Sequence, residues 1–112
     1  MDKYIVAVYV PTPADAVREL AELKDELTKT HGIRIIHAMK RGTPTLETEK
    51  GVIQFYSRTQ VRQYALFGKK FSKLFNFPIE CHAYTVGREM DHTEFHGSFL
   101  EYILEKEKER YL

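Results

Sequence analysis

Cys81 is the only cysteine in this chain of 112 residues. No internal disulfide can form, and the composition suits a reducing compartment, so the expected location is the cytoplasm. No apolar run approaches the ~18–20 residues that cross a bilayer, so no membrane partner is expected. The first residues show no charged segment leading into an apolar one and a cleavage site, so no secretory signal is read there. Also missing are Gly-x-Ser-x-Gly, a Walker-type phosphate loop, a dinucleotide fingerprint and Cys-x-x-Cys. No cofactor is expected, and catalysis would have to rest on scattered His, Tyr and Arg side chains. The reading therefore leans away from an enzyme. With no repeat, linker or low-complexity stretch, residues 1–112 read as one domain.

What the chain does carry is an uneven distribution of charge. Between residues 34 and 73 lie nine basic residues: Arg34, Lys40, Arg41, Lys50, Arg58, Arg62, Lys69, Lys70 and Lys73. Only two acids, Glu47 and Glu49, fall in the same span, so nine less two leaves +7. The rest of the chain holds 8 basic and 14 acidic residues and sums to −6, which brings the total to +1. A compact basic region is an electrostatic handle for phosphates or for an acidic protein.

Hydrophobic periodicity gives the elements. Residues 3–10 are β-branched and nearly all apolar, which predicts a strand covered on both faces. Pro11, Thr12 and Pro13 end it, and Thr12 with Asp15 makes a capping-box-like start to a helix. Ala16, Leu20, Leu23 and Leu27 recur at helical spacing, while Glu19, Glu22, Asp25 and Glu26 make the rest of that helix acidic. Gly32 is placed to close it in the left-handed conformation. Residues 33–39 and 46–56 predict two further strands, joined by the turn-rich connector Arg41-Gly42-Thr43-Pro44-Thr45 as an antiparallel hairpin. Ser57 with Gln60 opens a second helix, expected to run to Phe75 with Val61, Tyr64, Phe67, Phe71 and Leu74 inward. Residues 79–86 predict a fourth strand. Asp91 with Glu94 caps a last helix at about 91–110, whose apolar stripe is Phe95, Phe99, Tyr102, Ile103 and Leu104.

The order β-α-β-β-α-β predicts an α+β, ferredoxin-like sandwich: a four-stranded antiparallel sheet, two helices on one face, and an added C-terminal helix. That helix would cover the open sheet face or mediate oligomerisation. On this fold the acidic first helix lies beside the basic second one. Arg58, Arg62, Lys69 and Lys73 would share one side of that second helix, with Lys40, Arg41 and Lys50 around the hairpin. These seven are the candidate nucleic-acid-binding residues. The alternative is that they pair with Glu19, Glu22 or Glu26, in surface ion pairs that contribute about 0–1 kcal/mol each.

Strand alternation places Gln54, Tyr56, His82 and Tyr84 on the open sheet face, joined by Tyr9 or Tyr4 according to register. Aromatics on such a face stack bases in RNA-recognition modules. Here Lys50-Gly51 is followed by Val52, Ile53 and Gln54, so the stacking aromatics of the third strand are missing and the likeness is one of topology. Packing under the last helix, or in a sheet-to-sheet homodimer, is the other use of that face. Metal ligation has only weak candidates, His92 and His96, four apart around Glu94 but outside any His-Glu-x-x-His pattern. Cys81 reads as a small inward hydrophobe.

Three functions follow. The first is a nucleic-acid or phosphate-backbone-binding module that uses the basic helix and hairpin. The second is a homo-oligomeric interaction domain built on the open sheet face, with a homodimer expected. The third is an enzyme or ligand binder of the ferredoxin-like dimeric-barrel kind, with a pocket lined by Tyr56, His82 and Tyr84.

Overall fold

The computed structural model describes residues 3–62, 71–76 and 99–108. The predicted fourth strand, with Cys81, His82 and Tyr84, lies outside the described residues. So do Tyr64, Phe67, Lys69, Lys70, Asp91, His92, Glu94, Phe95 and His96. Among the described residues the fold is mixed α+β: a five-stranded mixed sheet and three helices.

The first strand, β1 (Tyr4–Val10), is the apolar run seen in the sequence. Helix α1 (Pro13–Asp25) follows. Its cap is Thr12, whose hydroxyl accepts from the Asp15 backbone N–H at 3.2 Å and donates to the Asp15 carboxylate at 2.8 Å. A π-helical turn, Glu26–Thr30, extends α1. Gly32 then takes φ +66°, a conformation open to glycine at little cost. Strands β2 (Ile35–Met39), β3 (Thr45–Thr48) and β4 (Gly51–Ser57) form a meander, antiparallel at each step. Helix α2 (Arg58–Arg62), strand β5 (Lys73–Phe75) and helix α3 (Phe99–Lys108) complete the described elements.

The sheet order is β2-β3-β4-β1-β5, with β1 parallel to both β4 and β5. This corrects the four-stranded antiparallel expectation, and the cause is local. Residues 46–56 do not form one strand. Thr48 turns the chain through Glu49 and Lys50, its hydroxyl accepting from the N–H groups of Lys50 and Gly51 at 3.1 Å each. That extra reversal means the strand reaching β1 runs parallel to it.

The second helix also departs from expectation. Residues 73–75 are strand, although their spacing suits a helix. The edge of β1 would otherwise leave backbone groups unpaired, which is costly when buried. Residues 72–75 satisfy it: the Ser72 N–H donates to the Ile5 carbonyl at 2.7 Å, and Val6 and Val8 sit opposite Lys73 and Phe75. Tertiary pairing overrides helical propensity here.

Topology also fixes the layers. The β1–α1–β2 and β4–α2–β5 connections join parallel strands but travel in opposite directions across the sheet. Right-handed crossovers place such connections on opposite faces. On one face α1 and α3 cover the sheet. Val6, Val8, Ile53, Phe55, Leu20, Leu27, Phe75 and Ile103 are fully buried there and form one cluster. Phe99 of α3 meets Phe55 edge-on at 6.0 Å and Phe75 at 6.3 Å. On the other face the buried Tyr56 ring meets Phe71 edge-on at 6.0 Å. The acidic α1 therefore does not lie beside α2. The added helix α3 takes the place next to α1 instead.

Candidate functional site

Three cations and one amide define the site at the carboxyl end of the parallel strands. Lys40 and Arg41 lie in the connector that follows β2, and Arg58 opens α2 directly after β4. All three are exposed. Gln60 joins the two segments. Its carbonyl accepts from the Ser57 backbone N–H at 3.0 Å and from the Ser57 hydroxyl at 3.4 Å. Its amide donates to the Thr43 hydroxyl at 3.0 Å and the Gly42 carbonyl at 3.3 Å. The Phe55 N–H donates to the Pro44 carbonyl at 2.9 Å, and the Thr45 hydroxyl to the Thr43 carbonyl at 2.8 Å. Gly42, at φ +67°, supplies the left-handed residue this turn needs. The connector bearing Lys40 and Arg41 is thus held against the start of the helix bearing Arg58.

Pairing with the acids of α1, the alternative use of these side chains, is not seen among the described residues. Four acids of α1 and its π-helical extension, Asp15, Glu22, Asp25 and Glu26, find partners close by in sequence. Arg18 bonds Asp15 at 3.1 Å and approaches Glu22 at 3.9 Å, Lys29 faces Asp25 at 3.6 Å, and His31 faces Glu26 at 3.5 Å. Among the described residues, no ion pair involves Lys40, Arg41 or Arg58.

The other basic residues between 34 and 73 whose side chains are described are dispersed. Arg34 pairs with Glu49 at 3.6 Å. Lys50 sits at the other end of β4, roughly 20 Å away by the rise of a seven-residue strand, where its ammonium donates to the Glu107 carbonyl of α3. Lys73 is in β5, 6.0 Å from the centre of the Tyr102 ring, with Lys106 at 5.6 Å from the same ring. It therefore does not share a helix face with Arg58 and Arg62. Arg62 ends α2 as described, and Lys69 lies outside the described residues.

The sheet face opposite α1 carries Gln54, Tyr56 and Tyr9, and β1 register places Tyr9 opposite Tyr56. Tyr56 is fully buried, its hydroxyl donates to Gln54 at 2.8 Å, and burial pushes its pKa up to about 12. Tyr4 points the other way, into the core. Its hydroxyl donates to the Glu107 carboxylate at 2.7 Å, as the Thr48 hydroxyl does, and burial drives its pKa well above the usual tyrosine range.

A groove of about 230 Å³ lies between α1 and the start of α3, over Leu23, Phe99 and Leu100 and rimmed by Glu19, Glu22 and Glu26. Burial raises the Glu19 pKa. Tyr56 is not part of this groove. Among the described residues, no group of three or more His, Cys, Asp or Glu side chains could hold a metal ion, and no helix is long and apolar enough to cross a membrane. Sequence reasoning missed Gln60 as the organiser of the basic site. The signal was present, because the Ser57–Gln60 cap was recognised, but the second use of the Gln60 amide depends on a connector distant in sequence. Compared with family models, curated proteins and solved structures, the chain matches none of them.

Proposed function

We propose that this protein binds phosphate groups of nucleic acid through Lys40, Arg41 and Arg58, with Arg62 one turn further along α2. One observation carries this reading: Gln60 fastens the connector of Lys40 and Arg41 to the start of α2, and among the described residues the three cations have no acidic partner. Three exposed cations grouped without counter-charge repel one another, and an anionic ligand relieves that repulsion. Their position supports the same reading, since open sheets with parallel strands take ligands outside the carboxyl ends of those strands.

The test is a salt titration of binding to labelled single-stranded RNA and DNA. Engaging three phosphates gives a slope of log K against log salt of about −2, at about 0.7 per phosphate on a single strand. The triple variant Lys40→Glu, Arg41→Glu, Arg58→Glu is expected to lose at least about tenfold in affinity and to flatten the slope. Unaltered affinity in that variant, with its melting curve intact, would sink the proposal.

A further inference from the structure

Among the described residues, the basic side chains do not form a track. A groove that follows a nucleic-acid backbone needs cations spaced along it, because each diester carries one charge. Among the described residues, Arg34 is paired with Glu49, Lys50 is engaged with α3 at the far end of β4, and Lys73 stands over Tyr102. What remains among the described residues is Lys40, Arg41 and Arg58, carried on two segments that the Gln60 amide holds together at one end of the sheet. Cations held together in this way favour the ligand with the highest local charge. A phosphate monoester carries about −1.5 to −2 at neutral pH, with a second ionisation near pH 6, against −1 for a diester.

We infer that the site recognises a terminal phosphate monoester, as at the 5′ end of an oligonucleotide or on a free nucleotide, rather than the diester backbone. This rests on the phosphate-binding reading above and narrows it. Gln60 is a positioning residue in this account: it touches no ligand and sets the spacing of the groups that do.

The experiment compares one labelled oligonucleotide with a 5′-phosphate or a 5′-hydroxyl, at pH 7.5 and pH 5, on the wild-type chain and on Arg41→Glu/Arg58→Glu. The 5′-phosphate form is expected to bind at least about fivefold tighter at pH 7.5, with most of that preference gone at pH 5, where the monoester has fallen to about −1. It is also expected to disappear in the double variant. Competition with a nucleoside monophosphate separates the two sources. Full competition identifies the nucleotide as sufficient, and failure to compete assigns the site to oligonucleotide ends; either result upholds monoester recognition. Equal, salt-steep binding of both oligonucleotides overturns the inference and leaves backbone binding standing. A 5′-phosphate preference that survives in the double variant overturns the assignment to these residues. Absence of binding by either oligonucleotide overturns both.

Discussion

Tyr4 and Gly51 are opposite one another in the β1–β4 register, and Gly51 is there because the Tyr4 ring occupies the space its Cβ would need. The ring is buried and tied through its hydroxyl to Glu107, so it cannot swing aside cheaply. Gly51→Ala is expected to cost about 1–3 kcal/mol, the usual scale for overpacking a filled core. Urea denaturation measures it, and a variant as stable as the parent would show that the ring yields. The glycine after Lys50 was visible in the sequence, inside the single strand expected over residues 46–56. Its reason was not, because the clash comes from a strand about fifty residues away.

Helix α3 is held at two levels. Ile103, Phe99 and Tyr102 pack on the sheet, and the Glu107 carboxylate accepts hydroxyl hydrogen bonds from Tyr4 and from the fully buried Thr48. Removing that acceptor leaves two hydroxyls short of a partner in a poorly hydrated place. Glu107→Ala is expected to cost about 1–3 kcal/mol, and Glu107→Gln less, since its amide oxygen still accepts. Chemical denaturation of both variants checks this; equal loss in the two would point to charge rather than to the missing acceptor. Two caps, Thr12–Asp15 and Ser57–Gln60, and the left-handed Gly32 were legible because each is a local arrangement of a few residues. Strand β5 was not legible. Residues 71–75 fit a helix by spacing, and only the open edge of β1 makes them a strand.

At the scale of the whole molecule, two tyrosines among the described residues are expected to limit the alkaline range. Tyr4 lies on the α1–α3 face and Tyr56 on the opposite face, and burial raises both pKa values. In the unfolded chain tyrosine ionises near pH 10. The folded state keeps its protons longer, so the stabilisation is complete below about pH 10 and is lost as the pH rises through about 12, where Tyr56 ionises in place. Urea midpoints are expected to hold between pH 7 and 9 and fall from about pH 10. Tyr56→Phe, compared with the parent, should fall less steeply; parallel curves would show that Tyr56 contributes nothing to the decline. The proposed binding site is also a property at this scale. Its three cations come from a loop and a helix start that the sequence separates by seventeen residues, Arg41 to Arg58.

The sequence by itself determined strand β1, where α1 and α2 begin and how they are capped, and where charge accumulates. All of these depend on neighbours within a few residues, and hydrophobic period and turn chemistry report them directly. Only the tertiary structure decided that β4 runs parallel to β1, that the acidic and basic helices leave the sheet on opposite faces, and which cations keep no acidic partner among the described residues. One additional turn at Glu49 and Lys50 changed all three. Strand direction inverts with every reversal of the chain, and the face taken by each crossover follows from that direction.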